Sequence, residues 1–309
     1  MFLRMYSFLV LIYDVLSLIF LVIEAELEAF YRIFIPPRLK SVAGEIILIT
    51  GAGHGLGREL AIQFSMLGAT VICWDIRSDS NEETAMAADS LGFGVGKAYA
   101  YTCDITNRYQ VIKVAERVKK EVGIVTVMIN CCNLPSPRIL TEHPAPGVRK
   151  TLDIGVMSQF WILGAFLPSM QEKKHGHIIM LTSVAGLTGI KDLVPLSAAQ
   201  FAIQGLAESL TEELRNYKPI GDVKVTLVHI YPFIVDQEMS TNIQLRIPSY
   251  FGTIEPVAAA KKIIDAMRRD YTEASIPGYL LYADKVVSLL PRKAILAVRE
   301  LLDTGVDFG

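Results

Sequence analysis

The chain has 309 residues, 51% of them apolar, and a formal net charge of −2. That length fits one large α/β domain plus an appendage, and a near-neutral charge without a basic stripe argues against nucleic acid as a partner. Four cysteines (Cys73, Cys103, Cys131 and Cys132) show no metal-like CxxC spacing and read as reduced thiols of a cytosol-facing domain rather than a disulfide framework.

The first forty residues stand apart. Met5–Ile23 is 19 residues with one charge, Asp14. As a helix it spans roughly 28 Å, close to the ~30 Å hydrocarbon core of a bilayer. Asp14 near its centre costs about 2.5–3.5 kcal/mol on the insertion scale, which the many Leu, Ile, Val and Phe residues, at about −0.3 to −0.6 kcal/mol each, outweigh. Glu24, Glu26 and Glu28 follow in place of a small-residue cleavage site. Arg4 precedes the segment and Arg32, Arg38 and Lys40 follow it, which puts the main domain on the cytosolic side. A shallow hairpin or interfacial helix is the alternative that Asp14 and the short length permit. Pro36-Pro37 then separates this anchor and linker, residues 1–40, from the rest.

Ile46–Ile49 is a short apolar run of the kind found in a buried parallel strand, ended by Thr50 and Gly51. Gly51, Gly53, Gly55 and Gly57 follow, with His54 and Leu56 between them, and Arg58 opens a helical pattern. A strand, a glycine turn and a helix N-terminus together make a phosphate site: glycines let the backbone approach a pyrophosphate, and the free N–H groups and helix dipole attract it. Asp75 lies 18 positions after Gly57, at the end of a second apolar run, Thr70–Trp74. A carboxylate there binds both ribose hydroxyls of NAD(H) and repels the 2′-phosphate of NADP, so NAD is the expected cofactor.

Ser80–Leu91 reads as a helix with a Ser80/Glu83 capping box, and Lys97–Tyr101 as a third strand. Asn107–Val122 is helical, Val125–Ile129 is a strand ending at Asn130, Thr151–Met170 a long helix and Gly176–Leu181 a strand. Pro195–Arg215, Asp222–His229 and Pro256–Arg269 continue as helix, strand, helix. The alternation predicts a doubly wound parallel sheet with ligand at the carboxyl ends of its strands.

Thr50-Gly51-Ala52-Gly53-His54-Gly55-Leu56-Gly57, Cys103-Asp104 and the Asn130 strand end resemble the short-chain dehydrogenase/reductase family over roughly Ser41 to Tyr282. Trp74-Asp75-Ile76, Asn81-Glu-Glu-Thr-Ala, Phe166-Leu-Pro-Ser-Met and His175-Gly-His-Ile are similar to its membrane-attached branch of retinol and 17β-hydroxysteroid dehydrogenases. The resemblance implies a single Rossmann-type domain over residues 41–282, NAD(H)-dependent chemistry on a lipophilic alcohol, and residence at the endoplasmic reticulum membrane or lipid droplet surface. It also implies that Asp104 touches the adenine, and it makes membrane lipid, a lipophilic small molecule and a homo- or hetero-dimer with related dehydrogenases the expected partners.

The catalytic half departs from the family pattern. The family tyrosine falls at Leu196 and its lysine at Gln200, in Pro195-Leu-Ser-Ala-Ala-Gln. Thirteen positions before Leu196 the family serine is retained as Ser183. The helical asparagine falls at Gly155, the Asn-Asn-Ala-Gly turn has become Asn130-Cys131-Cys132-Asn133, and the nicotinamide-binding threonine is replaced by Gln237. Leucine has no proton to give, and loss of a general acid/base removes about 10²–10⁴ in rate. A catalytically dead or strongly impaired NAD(H)-binding protein is therefore the leading expectation. The alternative is a working oxidoreductase in which Gln200 holds the ribose by hydrogen bonds. Ser197 is a poor substitute for the tyrosine, one position along and about 100° around the helix. His175 and His177 read as loop or cap residues before the fifth strand, and His229 as a near-core residue or, less favoured, a base facing the crevice.

Beyond residue 282, the tail 283–309 reads as amphipathic. Val286, Leu289 and Leu290 share one helical face, as do Ile295, Val298 and Leu302, either as a core or dimer helix or lying on a membrane. Met239, Tyr250 and Phe251 are candidates to line an apolar pocket or to cover the core.

Overall fold

The structure is a computed structural model that describes residues 2–92, 94, 96–132, 134, 140–142, 144–190, 193–216, 222–230, 243–244, 254–301 and 307–308. The predicted sites Asn133, Gln237, Met239, Tyr250, Phe251 and Leu302 lie outside them. The chain divides into two compact units, Met1–Lys40 and Ser41–Gly309.

The first unit is dominated by one helix, α1 (Phe2–Phe34). Its stretch Phe8–Arg32 is long and apolar enough to cross a membrane, with a mean hydropathy of 2.4, and none of that stretch is buried.

The second unit is built on β1 (Ile46–Thr50), α2 (Gly55–Met66), β2 (Thr70–Asp75), α3 (Ser78–Leu91), β3 (Ala98–Thr102), α4 (Arg108–Glu121) and β4 (Val127–Asn130). It continues with α5 (Ala145–Leu152), α6 (Ser158–Lys173), β5 (His175–Ser183), α7 (Val194–Asn216), β6 (Asp222–Ile230), β7 (Ile243–Gln244), α8 (Pro256–Arg268), β8 (Glu273–Ile276), α9 (Leu280–Ser288), α10 (Arg292–Leu301) and β9 (Asp307–Phe308). Seven strands form one parallel sheet in the order β3-β2-β1-β4-β5-β6-β8, and β7 pairs antiparallel with β9. The order runs outward from β1 in both directions, so the β1/β4 junction is the switch point at which such sheets bind ligands. Both faces are covered, which is why β1 reads as an unbroken apolar run, with Ile47, Leu48 and Ile49 all fully buried. Val111 and Val118 of α4, Phe166 and Met170 of α6, and Ile203 of α7 fill one side. Leu60 and Phe64 of α2, Ala85 of α3, and Ile263 and Met267 of α8 fill the other.

Local sequence accounts for most boundaries. Asn107 caps α4, its side-chain oxygen accepting from the N–H groups of Tyr109 and Gln110. The capping box at Ser80 does not form. The Asp75 carboxylate accepts the Arg77 N–H at 2.9 Å, so the chain turns early and α3 starts at Ser78 with Arg77 as its N-cap. The long helix expected from Thr151 begins at Ala145 and takes a π turn at Asp153–Met157 before continuing as α6. From the first residue after that turn, the Ser158 hydroxyl donates to the Ile154 carbonyl at 2.6 Å. His175 and His177 are not loop residues: both lie in β5, at the end away from the ligand edge. His175 meets the Glu45 carboxylate at 3.0 Å, and His177 is buried against the Thr226 hydroxyl at 2.8 Å. β8 went unread because it is four residues long and opens on a glutamate.

Candidate active site

The glycine turn leads into the N-terminus of α2, whose leading N–H groups are suited to an anion. His54 precedes α2 without a side-chain cap, and no acidic residue sits in that helix's first turn, so its leading N–H groups are available. Gly51 and Gly55 hold φ of +68° and +52°, the left-handed region that favours glycine. A Cβ on Gly57 would lie 2.1 Å from the Gly51 carbonyl oxygen, so only glycine lets α2 pack this close to the end of β1. Leu56 is half-buried and packs onto the apolar layer beneath α2.

Asp75, at the end of β2, is buried, with its carboxylate accepting the N–H groups of Gly53 at 3.0 Å and Arg77 at 2.9 Å. A Cβ built on Gly53 would lie 2.6 Å from Ser80 Oγ and 2.9 Å from Asp75 Oδ2, so both oxygens line the same small space. Ser80 Oγ and His54 Nδ1 are buried without a hydrogen-bond partner among the described residues. An unfilled donor and acceptor set beside a buried carboxylate fits the adenosine ribose and pyrophosphate of a dinucleotide. Nothing in the pattern of the sequence marked Ser80 for this place, because it reads as a helix cap.

Thr50 and Asn130 tie the switch point together. The Thr50 hydroxyl donates to Asn130 Oδ1 at 2.6 Å, and Asn130 Nδ2 donates to Ser158 Oγ at 3.1 Å. Asp104 is turned onto its own loop: its carboxylate accepts the Thr106 N–H at 2.9 Å and hydroxyl at 2.7 Å. Cys131 and Cys132 follow Asn130. Burial pushes the Cys132 thiol up to about 12 and raises Cys131 as well, so neither is a thiolate at neutral pH.

The carboxyl end of β5 carries the second half of the site. Ser183 Oγ accepts the Ala185 N–H at 3.2 Å, and its own hydroxyl hydrogen has no acceptor among the described residues. Gln200 is buried on α7 and turned inward. Its Oε1 accepts the Ser183 N–H at 2.7 Å and the Thr182 hydroxyl at 2.8 Å. The side-chain oxygen at the lysine position thus serves the end of β5. Leu196 is half-buried in the first turn of α7. Ser197 is buried with its oxygen 3.4 Å from the Ile190 N–H. Gly155 sits in the π turn, where a Cβ would come within 3.1 Å of Ala199 and Leu134. None of Gly155, Ser183, Leu196, Ser197 and Gln200 has a side chain that titrates near neutral pH.

His229 does not face the crevice. It is fully buried, and its Nε2 donates to Glu273 Oε1 at 2.9 Å. Thr182 is its register partner on β5, so strand alternation puts the Ser183 side chain on the opposite face. The hydrogen bond from His229 holds the Glu273 carboxyl below its ordinary value, against an opposing push from burial. A depressed carboxyl stabilises the fold above its unfolded pKa, near 4.5, and that stability is lost as pH falls through the folded value. Glu273→Gln is therefore expected to flatten the acid limb of stability; urea midpoints at pH 7 and pH 3.5 should fall further apart in the parent than in the variant.

The fold and the glycine cradle define a Rossmann-type α/β protein built to hold a dinucleotide. The sequence profile described as short chain dehydrogenase matches residues 45–247, and the chain belongs to that family. It is 37% identical to mouse epidermal retinol dehydrogenase 2 over 281 residues, covering 91% of this chain and 88% of the relative. It is 34% identical to human 17-beta-hydroxysteroid dehydrogenase 13 over 284 residues, 92% of each chain. Among solved structures, a short chain dehydrogenase/reductase from Burkholderia phymatum in complex with NAD superposes with a TM-score of 0.69 at 20% identity, over 80% of this chain and 94% of that one. A metagenomic short-chain oxidoreductase in complex with NADP superposes with a TM-score of 0.61 at 24% identity, over 76% and 93%. These two superpositions show the fold.

Proposed function

We propose that the protein is a membrane-anchored, NAD(H)-binding short-chain dehydrogenase/reductase whose proton-transfer apparatus is lost, so that it is catalytically inactive or strongly impaired. The observation that carries this reading is Gln200 folded onto the Ser183 N–H and Thr182 beside Leu196, where the family places lysine and tyrosine. Bound NAD(H) would accept or supply a hydride; the proton of the alcohol has to be handled by the protein. Ser183 can donate a hydrogen bond to a carbonyl oxygen. Leu196 can neither give nor take a proton, and a neutral amide at Gln200 gives no cationic hold on a ribose.

Cofactor binding rests on Thr50, Gly51, His54, Gly55, Leu56, Gly57, Asp75, Asp104 and Asn130. Asp75, with its lone pairs toward the space it shares with Ser80, favours NAD over NADP. Asp75→Asn keeps the shape and removes the charge. It is expected to weaken NAD binding about tenfold to a hundredfold, as charge-assisted hydrogen bonds become neutral, and to narrow the NAD/NADP preference in calorimetry.

α1 supports a span across the endoplasmic reticulum membrane, or attachment at a lipid droplet surface, with the dinucleotide domain in the cytosol. The domain boundaries follow: anchor and linker 1–40, catalytic-type domain 41–282, amphipathic tail 283–309. In that tail Val286, Leu289 and Leu290 are exposed and suit a lipid or protein surface. In this reading the protein serves as a sensor, scaffold or dimer partner of active relatives. The hydroxyl donor on Ser183, together with relatives named for retinol and 17β-hydroxysteroids, favours the second reading: an oxidoreductase on a lipophilic alcohol with a rearranged site.

Purified protein assayed with NAD and all-trans-retinol or estradiol separates the two. No turnover above background is expected. Turnover abolished by Ser183→Ala overturns inactivity, and an intact protein that shows no heat of NAD binding overturns the binding role.

A further inference from the structure

The membrane helix carries a stripe that lipid does not explain. Between Phe8 and Ile23 the only side chains with polar groups are Tyr13, Asp14 and Ser17. At 100° per residue they fall on one side of α1, together with Val10 and Leu21. Val10, Asp14, Ser17 and Leu21 are spaced by four, three and four residues, the seam along which two helices pack, and Glu24 and Glu28 extend it toward the domain. Ile12 and Ile19 lie on the opposite side. No part of Phe8–Arg32 is buried and Asp14 is exposed, so the described residues of its own unit, Met1–Lys40, do not cover the carboxyl.

A carboxyl at bilayer depth is expensive facing lipid and is found facing protein. The stripe also carries its own complement: an acceptor at Asp14 with hydroxyl donors alongside at Tyr13 and one turn on at Ser17. Copies of one chain enter a membrane in one orientation and at one depth, so a two-fold axis brings each stripe onto itself. Interhelical hydrogen bonds between such groups are a known source of association within lipid. We propose that α1 is a self-association surface: two copies of this chain pair in parallel through Val10, Asp14, Ser17 and Leu21, with each Asp14 hydrogen-bonded to the hydroxyl groups of the other copy's stripe. This rests on the reading that α1 spans a membrane.

The test uses the full chain in cell membranes, with single cysteines introduced along α1 and mild oxidation. Val10→Cys, Ser17→Cys and Leu21→Cys are expected to form disulfide-linked dimers at least about tenfold more than Ile12→Cys and Ile19→Cys, whose background also accounts for the four native cysteines. Asp14→Leu, added to Val10→Cys, should cut the dimer about tenfold, the scale of one interhelical polar contact, while Asp14→Asn retains most of it. Asp14→Leu makes the helix more apolar, so its loss of dimer cannot be blamed on failed insertion. Retention of each variant in the membrane after an alkaline wash is measured alongside. A parent protein released by that wash overturns the membrane reading itself. A retained protein with equal cross-linking around the helix, with none at all, or with adducts only to a chain of different mass overturns the self-association.

Discussion

Leu196→Tyr combined with Gln200→Lys should raise turnover of a lipophilic alcohol to about 10²–10⁴ times the background rate that the parent protein gives, the scale of one restored general acid/base. The structure sets conditions on that gain. Leu196 is half-buried in the first turn of α7, so the new ring has a partly open position near the carboxyl end of β5. Gln200→Lys removes the oxygen that accepts the Ser183 N–H and the Thr182 hydroxyl. Leaving those donors unsatisfied costs about 1–3 kcal/mol each at most, so the double variant should melt earlier than the parent. Gln200→Lys alone should show the lower melting temperature and no activity. Steady-state rates with NAD, beside a melting curve, check both halves. A double variant that folds, binds NAD and shows no gain would place the defect elsewhere, with Gly155 in the π turn the next position to restore.

Gly55→Val is expected to abolish NAD binding. Gly55 opens α2 at φ +52°, and a β-branched residue in the left-handed region is strained by about 1–3 kcal/mol before any ligand is considered. Its side chain also enters the space the pyrophosphate needs at the N-terminus of α2. Gly53→Ala separates strain from occlusion, because Gly53 has no left-handed φ and its Cβ projects between Ser80 and Asp75. Calorimetry should show no NAD heat for Gly55→Val and a clear weakening for Gly53→Ala, with both proteins folded by circular dichroism. Affinity within about threefold of the parent in both variants would mean that this turn does not hold the cofactor.

The sequence by itself determined the alternation of strands and helices, the glycine turn and the carboxylate at Asp75. These are legible because each depends on near neighbours: an apolar run, backbone freedom at glycine, and the fixed distance from β1 to the end of β2. The α1 helix was legible for the same reason, as a length and a composition. The tertiary structure decided what contacts across the chain alone can decide. Gln200 faces Thr182 and the Ser183 N–H because α7 packs on β5, and no pattern local to either element announces that pairing. His229 turned from a candidate base into the partner of Glu273 because β8, too short and polar to be read, lies beside β6. Ser80 sits beside Asp75 and Gly53 rather than at a helix cap because Asp75 takes the Arg77 N–H and starts α3 two residues early. For Gln200 and His229 a hydrogen bond between residues distant in sequence outweighed the local reading, and for Ser80 a side-chain bond across the turn after β2 outweighed its capping preference.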